Sequence, residues 1–176
     1  MKSGRPLDGE FAPYAKADID YVEGDDAVAV LGTQGQEVSK LIDSLDETAI
    51  AGHRYAPGKW TVKEVLGHLI DDERIFAYRT LCVARNDPRP LAGFDENDYV
   101  AATRFESRTL ASLAAEYRIV RASTLAFFAS LRAEEWLRRG MVNGYEASVR
   151  GLAFHVAGHE LHHLRTLREK YLNDGR

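Results

Sequence analysis

The sequence predicts an all-α protein folded as a four-helix bundle, and three observations carry that expectation. Four long segments repeat their apolar residues at helical spacing, few β-branched residues alternate as a strand requires, and proline or glycine punctuates the gaps. With 176 residues, 45% of them hydrophobic and 28% charged, the chain fits one domain with a real core.

Residues 1–24, with Pro6, Pro13, Gly4, Gly9 and Gly24, are expected to form an irregular arm that wraps the domain, leaving 25–176 as the helical bundle. The first long helix starts near Asp25, where Val28, Leu31, Val38, Leu41, Ile42 and Leu45 share a stripe, although Gly32 and Gly35 weaken its first half. His53 to Lys59, containing Pro57-Gly58, is a loop. Thr61-Val62-Lys63-Glu64 matches the capping box, in which threonine hydroxyl and glutamate each satisfy an orphan amide, and Trp60 is placed to staple onto Val65. Val65, Leu66, Leu69, Ile70 and Phe76 carry that second helix to about Arg85, and Asn86-Asp87-Pro88-Arg89-Pro90 stops it. Leu91 to Phe105 is a long connection. A third helix runs from about Ser107 to Leu131, burying Leu110, Leu113, Tyr117, Val120, Leu125 and Phe128. Arg138 to Ala147 is a turn region, and Ser148 caps a last helix reaching about Leu172 through Leu152, Val156, Leu164 and Leu167. Two of the connections are long, as some bundles have.

Bulk properties remove several function classes. A formal charge of -4, without a basic block, gives no electrostatic reason to bind nucleic acid. The N-terminus lacks the apolar stretch of a signal peptide, and no run of about 18 apolar residues suggests a membrane span. The lone Cys82 excludes an internal disulfide framework, so the expected compartment is the reducing cytoplasm.

The histidines carry the chemistry. At about 100° per residue, His155, His159, His162 and His163 fall on one face of the last helix. His159 and His163, four apart, can turn two imidazoles toward one ion. Several neutral imidazoles converging in a dry core without a metal would leave nitrogens hard to satisfy. His159-Glu160-Leu161-His162-His163 also fits the zinc-peptidase pattern, but Thr166 and Glu169 stand where its extended form needs glycine and histidine. Glu169 faces about 240° away from His163, so a third ligand is expected from upstream. His68, among Val65, Leu66 and Leu69, is the natural donor.

Arg54 through Leu69, reading RYAPGKWTVKEVLGHL, resembles the second-helix signature of the DinB-like superfamily, and His155 through His163, HVAGHELHH, resembles its last-helix signature. The resemblance spans the chain from about residue 25. It implies a four-helix bundle, usually a homodimer, holding a divalent metal through His68, His159 and His163, with His155 and His162 in supporting or core positions. Members with known activity are mostly thiol-dependent S-transferases or isomerases using bacillithiol, mycothiol or a related small thiol.

A metalloenzyme activating a thiol or water is therefore the leading expectation, because three neutral ligands leave coordination positions open. Zinc or nickel suits imidazole ligands, and the substrate is expected to be a small molecule. The alternatives are a non-catalytic, stress-related metal or ligand binder and, less favoured, a metallopeptidase. Asp72, one turn after His68, is the candidate to orient an imidazole or act as a base. Glu64 is assigned to the capping box, Glu160 to a solvent-facing or interhelical position, and Trp60 and Trp136 to the core. Arg165 and Arg168 are candidates to meet an anionic substrate or to complement the helix dipole. Cys82, about 21 Å along the helix from His68, is too far to be a ligand.

Overall fold

The computed structural model describes residues 2–172; the expected domain boundary at Arg176 lies outside them. In chain order the elements are α1 (Lys16–Asp20), α2 (Ala27–Ser44), α3 (Val62–Ala84), α4 (Glu96–Ala101), α5 (Leu110–Ala129), α6 (Ala133–Trp136), β1 (Arg139–Val142), β2 (Tyr145–Ser148) and α7 (Val149–Thr166). The four long helices α2, α3, α5 and α7 make the bundle, and wider π-type turns carry α7 on to Leu172. No helix among the described residues is long and apolar enough to cross a membrane.

Each long helix begins at a side-chain cap that satisfies amides the helix itself leaves free. Asp26 accepts from the Val28 and Ala29 amides, Thr109 from Ser112 and Ser148 from Gly151. At α3 both halves of the capping box form: Thr61 accepts from the Glu64 amide, and Glu64 accepts from the Thr61 amide at 2.7 Å. Arg54 pairs with the same Glu64 at 2.8 Å, tying the preceding loop to the helix start. Asn86, at a φ of 56°, then turns the chain out of α3 ahead of Pro88.

Of the long helices consecutive in sequence, only α3 and α5 are neighbours in space. Both α2 and α3 pack on both α5 and α7, so the order around the bundle is α2, α5, α3, α7, with α2 and α3 across one diagonal. Facing pairs run in opposite directions along α3 and α7: Phe76 meets His155, Asp72 meets His159 and His68 meets His163. These two helices are therefore antiparallel.

The apolar core falls into two ends. One gathers Leu31, Phe76, Phe128, Trp136 and Phe154; the other gathers Val38, Leu66, Leu113, Tyr117 and Leu164. Burying one such side chain stabilises by roughly 1.5–3 kcal/mol, so the two ends supply most of what holds the bundle. Between them runs a buried polar layer containing Gln34, Asp72, Glu73, Arg121 and Glu160.

The connections hold more structure than the sequence suggested. Within the arm, a 3-10 turn (Pro13–Ala15) and α1 pack on α7. Side-chain-free Gly158 allows that approach, because a β-carbon there would collide with the Asp18 carbonyl. The arm's Glu10 accepts from Arg150 Nε at 2.7 Å, from Arg139 Nη2 at 3.3 Å and from the Leu7 amide at 2.7 Å. The turn region over 138–147 is a β-hairpin, with Asn143-Gly144 at its tip and both residues at positive φ, the signature of the tight turn that joins two strands. Leu91 pairs along the β1 edge of this hairpin, its amide donating to the Met141 carbonyl and its carbonyl accepting from the Asn143 amide at 2.9 Å each, so the long connection is anchored before it forms α4.

Candidate metal centre

The structure brings His68, His159 and His163 together where α3 and α7 cross the polar layer. Glycines precede two of them. Gly67 lets the Phe105 ring lie against α3, and Gly158 lets the arm lie against α7, so neither helix can rotate without meeting a neighbour. His68 Nε2 lies 3.2 Å from His159 Nε2, and His163 Nε2 lies 3.1 Å from the same atom. The candidate ligand atoms of the three residues all fall within 4.8 Å of one another. Ligand nitrogens about 2.0–2.1 Å from one tetrahedral ion stand roughly 3.3 Å apart, so the residues fit a divalent transition metal.

Asp72 sets the orientation. Its Oδ2 lies 3.2 Å from His159 Nδ1 and fixes the proton on that nitrogen, which turns the Nε2 lone pair toward the other two rings. Burial pushes the Asp72 carboxyl up, but His159 outweighs it by charge and hydrogen bond and holds the group well below the usual carboxylate range. Burial disfavours a charged His159, yet Asp72 more than offsets this and raises its pKa. Burial and the His159 charge lower His68 to about 4, and the same influences, joined by His68, hold His163 well below the ordinary value. His68 and His163 thus favour the neutral form, in which an imidazole can act as a ligand.

The other predicted residues separate. His155 is buried, stacked on Phe76 at 4.0 Å and kept neutral by burial, which lowers it to about 4. His162 does not share the inward face: it is exposed, and its Nδ1 lies 3.3 Å from Asp18 on α1. Helical spacing puts it with the others, but Asp18 on the arm holds its ring toward the solvent-exposed edge of α7. Trp60 corrects the core assignment. It is half-buried, with its ring 4.7 Å from His68 and stacked 6.3 Å from His163, so it walls the centre. Trp136 is core. Glu160 takes the interhelical option, buried against Arg121 Nη2 at 2.7 Å and Tyr117 Oη at 2.7 Å. Arg165 pairs with Glu169 and Arg168 with Glu37, both outside the cleft, and Cys82 is a buried free thiol away from it.

A cleft of about 410 Å³ opens over the histidines. Sequence reasoning missed Tyr14, Arg79, Phe94, Glu96 and Asn143, which line it beside Trp60 and Phe76. Their only shared signal is spatial, since four of the five lie in connections with no repeating pattern.

The chain resembles known proteins at two levels. A sequence profile described as the DinB superfamily matches residues 31–167. Among solved structures, YfiT from Bacillus subtilis, described as "a probable metal-dependent hydrolase with an unusual four-helix bundle topology", superposes with a TM-score of 0.73 at 15% identity, over 81% of this chain and 82% of that one. None of the curated proteins compared matches the chain.

Proposed function

The chain belongs to the DinB superfamily, and from that premise we propose that it is a metal-dependent hydrolase of a small molecule, with His68, His159 and His163 holding one zinc or nickel ion. The observation that carries this reading is the convergence of three Nε2 atoms, 3.1–3.2 Å apart at two of their edges, with no other protein partner for these atoms among the described residues. A divalent ion there supplies a Lewis acid that lowers the pKa of water or a thiol into the neutral range. The chain's own residues prepare the place. Asp72 keeps the His159 proton on Nδ1, and Trp60 and Phe76 wall the cleft with apolar surface that limits water. The cleft reaches solvent, which favours catalysis over closed storage of an ion.

One observation favours a thiol as the activated nucleophile. A second groove of about 320 Å³ reaches His163 from the other side of Trp60, with Lys59 and Lys170 on its rim. Two openings onto one centre suit a co-substrate such as bacillithiol or mycothiol, in an S-transferase rather than a hydrolase. Every residue in either reading comes from one chain, so neither reading depends on the homodimer expected of the family.

The test is His163→Ala, with metal content, helicity and turnover measured on the same sample. The expected outcome is retained helicity with loss of the metal and of turnover on an ester or thiol-plus-electrophile panel. Wild-type turnover by a metal-free variant would end the catalytic reading and favour a binding protein.

A further inference from the structure

Arg79 is a buried cation, 4% exposed, without a direct ion pair among the described residues. One guanidinium nitrogen, Nη2, donates to the Ala92 carbonyl at 2.6 Å; the other N–H groups find no protein acceptor. The plane is held rather than mobile, with its central carbon 4.7 Å above the Phe76 ring and 5.4 Å from the Phe94 ring. Three acids line the same cleft without pairing to it: Asp72 is engaged by His159, Asp18 by His162, and Glu96 is exposed. A desolvated guanidinium that keeps its charge normally has a carboxylate or phosphate beside it. Here the side open to the cleft lacks one.

Its position relates it to the histidines. Arg79 is 11 residues after His68, which returns it to within about 20° of the same stripe of α3, roughly 16 Å along the axis. Helical side chains lean toward the N-terminus, and the stacking over Phe76 shows Arg79 folded back toward the histidine end of α3. Phe76 and Trp60 cover much of the surface between.

We infer that Arg79 is the anion-binding end of the cleft, and that the substrate is a small carboxylate with a flat or apolar body. The carboxylate forks onto the free edge of the guanidinium, and the group to be attacked lies at the histidine Nε2 atoms. A planar fork reads a carboxylate through two parallel N–H bonds, which a lysine at this position could not do. This rests on the proposed reaction occurring in the cleft over the histidines. A structural role, clamping the 91–94 segment through Ala92, is the competing account, and it needs only one of the guanidinium nitrogens.

The test uses 3-phenylpropionate and its neutral amide, titrated into the full chain with metal bound and with metal chelated. The expected result is at least tenfold tighter binding of the carboxylate in both forms. Arg79→Gln should erase that preference with an unchanged circular dichroism spectrum. In wild-type protein the Arg79 Nε–H resonance should shift with the carboxylate and stay fixed with the amide, a measurement that stands even if the variant does not fold. Three results overturn the inference: a preference kept in Arg79→Gln, no preference in wild type, or a preference seen only with metal bound, which would mean the ion reads the carboxylate. A wild-type chain that retains no metal but keeps the preference would remove the hydrolase reading and leave the subsite standing.

Discussion

Two polar clusters lie back to back in the middle of the bundle, on adjacent residues of the same two helices. Asp72 and His159 face the cleft, while Glu73 and Glu160 face α5. In the inner cluster Arg121 gives Nε and Nη2 to Glu73 at 2.8–3.1 Å, Nη1 and Nη2 to Glu160 at 3.2 and 2.7 Å, and Nη1 also to the Leu31 carbonyl at 2.9 Å. Tyr117 supplies a further donor to Glu160. Every donor there has an acceptor. The outer cluster has one such bond, from His159 to Asp72, and then three nitrogens that meet only each other. The inner residues are buried and fully paired, whereas His159 and His163 are partly open to the cleft and poorly paired, which separates residues that hold helices together from residues free to hold something else.

The comparison can be broken most directly at its centre. Arg121→Met would leave Glu73 and Glu160 buried without a partner, and a loss of about 3–5 kcal/mol is expected in urea unfolding. A loss below about 1 kcal/mol would mean that the inner cluster does not brace the bundle. Glu160→Gln is milder, since the amide oxygen still accepts from Tyr117 and Arg121; about 1–3 kcal/mol should be lost, measured the same way.

On the cleft side the effect should move from stability to metal. Asp72→Asn keeps an acceptor for His159 Nδ1 but removes the charge. Metal affinity should fall by about 10–100-fold in competition with a chelator, while unfolding of the metal-free protein changes by less than about 1 kcal/mol. Equal losses in both measurements would erase the distinction between the clusters.

The smallest effect belongs to the arm. Burial pushes the Glu10 carboxyl up, but Arg150, the Leu7 amide and Arg139 outweigh it and leave the pKa below the ordinary 4.5. A depressed folded pKa gives stability that is present above 4.5 and is lost as the pH falls through the folded value. Glu10→Gln should therefore cost about 1 kcal/mol at neutral pH, since its partners are partly exposed. The difference from wild type should shrink in acid unfolding below pH 4.5; a difference that stays constant there would show that the charge is not what ties the arm down.

What the sequence disclosed follows from what repeats. Helical periodicity and side-chain caps are local, so the long helices and three of their starts, at Thr61, Ser148 and close to Asp26, were legible. The i, i+4 spacing of His159 and His163 is local too, and only the short list of histidines elsewhere was needed to bring in His68. Arg121, by contrast, is one charged residue on a helix with many, and nothing in the chain marks it as buried against Glu73, 48 positions away. Arg79 was passed over for the same reason. The Asn143-Gly144 pair did carry a local hairpin signal, but strands of four residues are too short to alternate convincingly. Trp60 is assigned to the core from the sequence, whereas the structure sets it half-buried beside the histidines as a wall of the cleft.

The arm's passage over Gly158 has a consequence for how the molecule divides its labour. The floor of the cleft is helical: His68, Asp72 and Arg79 from α3, and His155, His159 and His163 from α7. Its rim is contributed by Tyr14 and Asp18 from the arm, Trp60 from the loop before α3, Phe94 and Glu96 from the connection after it, and Asn143 from the hairpin tip. The arm lies outside residues 31–167, the span matched by the family profile. Of the rim residues only Trp60 and Phe94 pack against the bundle's core, so the others can be exchanged without repacking it. A bundle arranged in this way can keep one chemistry and change its clientele, by rewriting a few residues at the edge while leaving the floor alone.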